Sequence, residues 1–449
     1  MWLIFILLVS VLSIILMTAK FKLHPFLALL AAAFGYGLLS GTLSLQQLVE
    51  SINGGFGKTV GSIGIVILAG AVIGTFLEKS GGAYRLAEKV LKITGDKHVP
   101  LAMGIIGAIV SIPVFCDSGF VILSPLNKTL SKKAKVKLAA SAMALSLGLL
   151  ATHSMVPPTP GPLAAAEALG ADIGMVILWG LLVAAVSLSG GWLFAVLFAS
   201  RTDIDTKTEP ISEAVNEEPV IIDKDTPSAL KSVIPIILPL VLIVFRSIND
   251  LMDPFGDGNI SSLINFFGQP IVALLIGACA AFMLPKKLTS EMLSSKGWVG
   301  QAIMSVTTII IITGAGGAFG RVLQDSNIAS VVENNLLGIN LGIWLPILMA
   351  AALKTAQGSG TVAIITTAGI MAPLMESFGL DDPMARALVV VGIGAGSMIV
   401  SHANDSYFWV VTQLSGMTVK QGYRLQTLGS LVQGMTAAVA VWIISLLVL

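Results

Sequence analysis

The sequence predicts an all-α polytopic membrane protein, built from two inverted structural repeats with interrupted helices or re-entrant hairpins. Three observations support this fold class. The 449 residues are 55% hydrophobic and only 11% charged, whereas soluble globular chains carry about 25% charged residues. Apolar runs recur along the whole chain, and a span needs about 20 such residues. Polar residues and glycines interrupt these runs at similar places in the two halves, which is typical of secondary transporters.

The apolar runs are separated by short polar connections. They lie near residues 1–19, 25–41, 60–78, 99–130, 138–152, 176–199, 231–248, 264–285, 299–320, 341–373, 387–402 and 427–449. The first run has no basic start and no small-residue cleavage site, so we interpret it as a retained span. Segments 99–130 and 341–373 are too long for one ordinary span. Each is either a re-entrant hairpin or a span plus a half-helix, and the sequence leaves both open.

A long hydrophilic stretch divides the chain into two nearly equal halves. Residues 201–231 contain eight acidic residues and three prolines, a composition typical of a solvated linker. We therefore assign residues 1–199 to a first transmembrane repeat, 200–230 to a hydrophilic cytoplasmic linker and 231–449 to a second transmembrane repeat. The cytoplasmic side is predicted by clusters of lysine and arginine in the connections, which lie near residues 79–97, 128–137 and 286–296.

Matching motifs indicate that the two halves are related. A Gly-x-x-x-Gly pattern recurs, and so do two polar interruptions: 70–80 with 316–326, 117–119 with 358–360, and 151–153 with 400–402. Small residues at this spacing let membrane helices approach closely. If both over-long segments are hairpins, each half has five spans. Because five is odd, the second half would be inverted relative to the first.

The stretch 354–373 places a lysine, a glutamine and a run of small residues inside apolar sequence. Unpaired backbone groups in an apolar medium cost roughly 2–7 kcal/mol each, so broken backbone at membrane depth must line a protein cavity. The first N–H groups of a helix have no acceptor within the helix and can donate to a carboxylate. Glycines let the backbone approach a ligand. We expect an anion site here, with Lys354 adding a charge. The alternative is a surface loop with Lys354 at the lipid interface.

Three other polar interruptions are candidates for chemistry. Asp117 stands in the middle of apolar sequence, where a carboxylate is usually functional; alternatively it caps the helix that follows. Residues 152–162 contain four prolines, which prevent a continuous helix. Residues 401–406 end the corresponding helix of the second half. His153 and His402 would then occupy equivalent positions.

These interruptions resemble the gluconate permease family, the gluconate:proton symporters of the ion transporter superfamily. The resemblance rests on residues 113–123, 153–162, 354–363 and 401–406 and extends over most of the chain. It implies uptake of small hydroxy-acid anions with protons across the inner (plasma) membrane. Members of the family take gluconate, other sugar acids or D-serine.

We therefore predict a secondary active transporter for a small hydroxy-carboxylate, coupled to protons. Sodium coupling, D-serine-type amino-acid uptake, a channel and an intramembrane enzyme are the alternatives. The sequence has no nucleophile–base motif and no phosphate-binding motif, so we expect no enzyme and no ATP-driven pump. We expect no cofactor and no metal site. A net charge of +1 gives no indication of nucleic-acid binding. The expected partners are the substrate anion, protons and the lipid bilayer, with homo-oligomerisation left open.

The predicted substrate site draws on both halves, with Lys354 and helix amides on the carboxylate. Its members are Ser118, Gly119, Thr152, His153, Thr159, Lys354, Thr355, Gln357, Gly358, Ser359, Gly360, Thr361, Ser401, His402 and Asn404. The candidate proton carriers are Asp117, His153, His402 and Asp405. Asp117 ranks first because its surroundings are the more apolar. Asp405 is flanked by Asn404 and Ser406, which can hydrogen-bond its carboxylate and keep it ionised.

Overall fold

A computed structural model of the chain describes residues 2–95, 98–204, 226–252, 258–328, 331 and 341–449. These residues form helices and loops, without a strand in the described ranges, which confirms the all-α membrane class. Within them, six helices are long and apolar enough to cross a membrane, or seven if a pair bent by 63° counts as one span. The count of five spans per half stays a prediction.

The helices fall into two sets on either side of the linker. In the first half they are α1 (Trp2–Ile15), α2 (Pro25–Ser40), α3 (Leu45–Lys79), α4 (Gly82–Thr94), α5 (Val99–Val110), α6 (Cys116–Ala134), α7 (Leu138–Met155), α8 (Pro160–Leu169) and α9 (Ile173–Leu197). In the second half they are α10 (Ala229–Met252), α11 (Asn259–Phe267), α12 (Pro270–Ala281), α13 (Trp298–Asp325), α14 (Trp344–Gln357), α15 (Gly360–Met371), α16 (Pro383–Met398), α17 (Ser406–Leu414) and α18 (Val419–Val448).

Helix α3 is longer than the apolar run 60–78 that predicted it. It begins behind a capping box, in which the Ser44 side chain accepts from the Gln47 amide while the Gln47 side chain accepts from the Ser44 amide. The polar first turns pack beside α13. A Cβ on Gly55 would lie 2.5 Å from the Gly317 carbonyl oxygen, so glycines bring the two backbones close together. This contact joins the two halves.

Both over-long segments are pairs of helices separated by a break. In the first, the break lies at residues 111–115, and Asp117, Ser118 and Gly119 form the start of α6. The expectation that these three residues are the interruption is therefore wrong. Pro113 explains the shift, because proline lacks an N–H donor and disfavours helix in the residue before it. In the second segment the break falls at Gly358, as predicted, with a φ of 83°.

Helices of the two halves pack in corresponding pairs. The pair α5–α7 matches α14–α16, α7–α9 matches α16–α18, and α2–α13 matches α12–α3. Across the middle, α6 packs on α17 and α8 packs on α15. Helices α3 and α13, which carry the Gly-x-x-x-Gly pattern, are each followed by a serine at the C-cap position, Ser80 and Ser326. This pairing agrees with a duplicated architecture, while the inverted orientation of the halves stays a prediction.

Both ends of the linker lie beside basic clusters. Asp203, near its start, forms an ion pair with Lys137 at 2.8 Å. Thr226, near its end, accepts a hydrogen bond from Arg85 Nε at 2.6 Å. Each end of the linker therefore contacts one of the basic clusters. Residues 205–225 lie outside the described part of the chain, and the three-part division and the cytoplasmic assignment stay predictions.

Candidate functional site

Four helices begin at the breaks, two from each half. Their first residues are Cys116 of α6, Pro160 of α8, Gly360 of α15 and Ser406 of α17. The first N–H groups of a helix have no intrahelical acceptor, and the helix dipole makes this end partly positive. The rings of Phe120 in α6 and Tyr407 in α17 lie 6.3 Å apart. Helix starts from different halves are thus neighbours.

Lys354 is buried at the end of α14, with 3% of its surface exposed. Its Nζ lies 2.6 Å from Asp405 Oδ2 and donates to the Gly358 carbonyl at 3.1 Å. An ammonium group is favoured there, because the last carbonyls of a helix carry partial negative charge. The alternative that placed Lys354 at the lipid interface is therefore wrong. The cation lies inside the protein, beside the glycine-rich break.

Asp405 caps α17 and holds Lys354. Its Oδ1 accepts from the Tyr407 amide at 3.1 Å, and its Oδ2 accepts from the Ser401 hydroxyl as well as from Lys354. The expected hydrogen bond from Asn404 to this carboxylate is wrong, because the Asn404 amide group donates to backbone oxygens of α14. The negative charge of Asp405 is instead compensated by Lys354.

The loop before α17 hydrogen-bonds the last carbonyl groups of α14. His402 Nε2 and Asn404 Nδ2 each lie 2.9 Å from the Thr355 carbonyl oxygen, and Asn404 Nδ2 lies 3.2 Å from that of Ala356. These carbonyls belong to the last turn of a helix, where the acceptors lack intrahelical donors. The loop therefore fixes where α14 ends, and with it the position of Lys354. Val400, at the start of the loop, has a φ of 57°, which is strained for a β-branched residue.

Asp117 lies in the first turn of α6. It is close enough to Asp405 and Lys354 for electrostatic interaction. Its Oδ2 accepts a weak hydrogen bond from the Cys116 thiol at 3.8 Å. The N-cap of α6 is Phe115, without a side-chain hydrogen bond. The alternative that Asp117 caps this helix is therefore wrong.

The two histidines are not at equivalent positions, contrary to the prediction. His153 lies in the last turn of α7, with its ring 5.8 Å from that of Phe115. His402 lies beyond α16, in the loop before α17. The difference arises because α7 continues to Met155, whereas α16 ends before the left-handed backbone at Val400.

Several other predicted site residues use their side chains within the protein. The hydroxyl groups of Thr152, Thr159 and Thr355 donate to the carbonyls of Ala108, Val156 and Ala351. Such a hydroxyl oxygen can still accept from a ligand. The Ser359 hydroxyl caps α15 by accepting from the Val362 amide. Gly119 packs against Leu149, and a Cβ on Gly360 would lie 3.3 Å from the backbone carbonyl oxygen of Ser397. Ser118 and Thr361 lie at the starts of α6 and α15.

Five of the buried polar atoms without a partner in the described part of the chain lie at or beside the breaks. These atoms have no hydrogen-bond partner among the described residues. They are Oε1 and Nε2 of Gln357, Oδ1 of Asp117, Nδ1 of His153 and Oδ1 of Asn404. Leaving a buried donor or acceptor unsatisfied costs about 1–3 kcal/mol. Both halves supply these five atoms. A polar ligand at this place would satisfy them.

A buried polar connection between the halves was missed by sequence reasoning. The Tyr407 hydroxyl donates to the Ser146 carbonyl at 2.9 Å, and the Ser146 hydroxyl donates to Gln426 Oε1 at 2.8 Å. Gln433 Nε2 donates to the Leu147 carbonyl at 2.6 Å. The glutamine inside the last apolar run was the available signal, since polar residues within spans face protein. These bonds hold α7 against α17 and α18.

Comparison with known proteins gives close relatives over the full length. The family model described as GntP family permease matches residues 2–447. The gluconate permease of Pseudomonas aeruginosa is 33% identical, covering 98% of this chain and 96% of that protein. The D-serine transporter DsdX of Escherichia coli K12 is 32% identical, covering 100% and 99%. The solved structure of Neisseria gonorrhoeae MtrF shares the fold at 14% identity, with a TM-score of 0.65 over 97% of both chains.

Proposed function

Because the chain belongs to the GntP permease family and is a multi-pass membrane transporter, we propose that it takes up a small hydroxy-carboxylate with protons across the inner membrane. Gluconate or a related sugar acid is the proposed substrate. The observation that carries this proposal is the buried Lys354 amid unpartnered polar atoms at the helix breaks. The Lys354 ammonium can form an ion pair with a carboxylate, and the unpartnered polar atoms can form hydrogen bonds with hydroxyl groups. Relatives named gluconate permease support the same substrate class.

Different residues of the site would bind different groups of the substrate. The Lys354 ammonium and the first amides of α15, at Gly360 and Thr361, would hold the carboxylate. The Gln357 amide, His153 Nδ1 and Asn404 Oδ1 would hydrogen-bond the hydroxyl groups. Thr152, Thr159, Thr355, Ser118, Ser359, Ser401 and His402 complete the proposed surroundings.

D-serine is the second candidate substrate. One observation favours it. Asp117 Oδ1 has no partner among the described residues and would accept a hydrogen bond from the ammonium group of an amino acid. The similarity to the D-serine transporter DsdX, at 32% identity, supports the same alternative.

Uptake by purified protein in proteoliposomes tests the function. We expect gluconate or another sugar acid to accumulate against its gradient when the outside is made acidic, without sodium. A thermal-shift panel of sugar acids, D-serine and L-serine identifies the ligand independently. Accumulation that requires sodium at fixed pH would contradict proton coupling. A response to D-serine alone would replace the sugar acid by the amino acid.

Gln357→Leu should weaken substrate binding while leaving the empty protein as stable as before, or more stable. The leucine removes two unpartnered buried groups, each of which costs about 1–3 kcal/mol, but it also removes the proposed contacts to substrate hydroxyls. Calorimetric affinity and thermal unfolding measure the two effects. Gln324→Leu is the matched control, because Gln324 is exposed on α13. Unchanged affinity in the Gln357 variant would remove this residue from the site.

A further inference from the structure

The buried cation at the breaks already holds a carboxylate. Lys354 and Asp405 are the charged residues of the buried set in the described chain, and their charged atoms lie 2.6 Å apart. If Lys354 binds the carboxylate of a substrate, its single positive charge has to balance that carboxylate as well as Asp405. Substrate and Asp405 therefore compete for one ammonium group.

Charge balance decides how this competition is resolved. Lys354 and Asp405 together carry no net charge when both are ionised. A monocarboxylate entering alone would place two carboxylates around one buried ammonium. Like charges in one site cannot both stay ionised without a large cost, and a buried uncompensated charge is strongly destabilising. One proton on Asp405 restores neutrality, with Lys354 then paired to the substrate.

We propose that Asp405 is the residue that carries the coupled proton, and that it does so by releasing Lys354 to the substrate. This inference rests on the proposed function and adds its coupling step. A proton from outside binds the Asp405 carboxylate, and the substrate carboxylate then binds Lys354. On the inner side the substrate leaves, Asp405 returns its proton to the cytoplasm, and the ion pair forms again. One proton then moves with each monocarboxylate.

The groups around this pair support Asp405 over Asp117. The ionisable side chains that face Asp405 are Lys354 from α14, Asp117 and Cys116 from α6, and Tyr407 from α17, while His402 of its own loop bonds the Thr355 carbonyl. Protonation of Asp117 frees no cation, because Lys354 is held by Asp405. Ser401 and the Tyr407 amide keep the Asp405 carboxyl group in place when the ammonium leaves it.

The test measures proton uptake on substrate binding, by titration calorimetry in buffers of different ionisation enthalpy. The wild type should take up about one proton per substrate, and its affinity should fall by up to about tenfold per pH unit as the pH rises. Asp405→Asn mimics the protonated residue. It should bind the same sugar acid with no proton uptake and no pH dependence, and it should exchange substrate without accumulating it. Asp117→Asn should still take up the proton, whatever its affinity.

The outcomes separate this inference from the proposed function. If the wild type binds no sugar acid and no amino acid, the proposed function fails and the inference falls with it. If the wild type takes up a proton and Asp405→Asn does too, only the inference is overturned. If Asp117→Asn alone loses the proton, Asp117 is the carrier, as its apolar surroundings suggest. Should Asp405→Asn not fold, infrared difference spectra of Asp117→Asn decide. A new protonated carboxyl group on addition of isotope-labelled substrate supports Asp405, and its absence overturns the inference.

Discussion

Replacing Lys354 by methionine should reduce substrate affinity by about 2–5 kcal/mol, the usual loss when one member of a buried charge pair is removed. That is a factor of roughly 30 to several thousand in the dissociation constant. The reason is that Lys354 is the cation among the buried residues of the described chain, with 3% of its surface exposed, so no other buried positive charge in that part of the chain can replace it as the carboxylate partner. Calorimetric titration of the purified variant with gluconate measures the loss. Unchanged affinity would place substrate recognition elsewhere.

The same substitution should also destabilise the protein. Without Lys354, the Asp405 carboxylate stays buried and uncompensated, which costs about 3–5 kcal/mol. Because Lys354 Nζ and Asp405 Oδ2 lie 2.6 Å apart, Lys354 contributes to folding as well as to the proposed binding. The double variant Lys354→Met/Asp405→Asn should regain stability without regaining binding. Lys58→Met, at an exposed position on α3, is the control for loss of a lysine. A double variant as unstable as the single one would contradict this account.

The parts of the fold that depend on local composition were predictable. A span is a run of apolar residues, and a break is marked by proline or glycine, so both are visible in a short window. The break at Gly358 illustrates this, because only glycine adopts its φ of 83° without strain. The start of α3 at Leu45 was not predicted, since its first turns are polar and pack on α13. The hydropathy pattern of a sequence does not reveal the polar first turns of a helix.

The pairing of site residues was not predictable, because it joins distant parts of the chain. Lys354 and Asp405 are 51 positions apart, and nothing in either stretch specifies the other. From the sequence, Lys354 was expected to bind the substrate, and Asp405 was expected to bond its neighbours in sequence or to carry the proton. The two residues were not expected to pair. The motif comparison also placed Asp117 against Gly358, whereas one lies within a first turn and the other ends a helix. Short motifs do not fix where a helix ends.

Gly358→Ala should abolish uptake and lower thermal stability. An added Cβ would lie 2.1 Å from the Asn404 carbonyl oxygen and 2.6 Å from its carbon. Relief requires movement of the loop that carries Asn404 and Asp405, which separates Asp405 from Lys354. Overpacking of this kind typically costs about 1–3 kcal/mol, and a left-handed backbone adds roughly 1–2 kcal/mol for a residue with a Cβ. Uptake in proteoliposomes and thermal unfolding measure the two consequences.

Gly379→Ala separates the steric effect from the backbone effect. Gly379 also has a left-handed φ, of 64°, but a Cβ there would meet no atom of the described residues within 4 Å. It should therefore lose only the backbone contribution to stability and keep its uptake. The difference between the two variants isolates the collision with the Asn404 carbonyl. If Gly358→Ala transports as well as Gly379→Ala, the loop can move without disturbing the pair, and the close approach of Gly358 to Asn404 is not what positions Asp405 for Lys354.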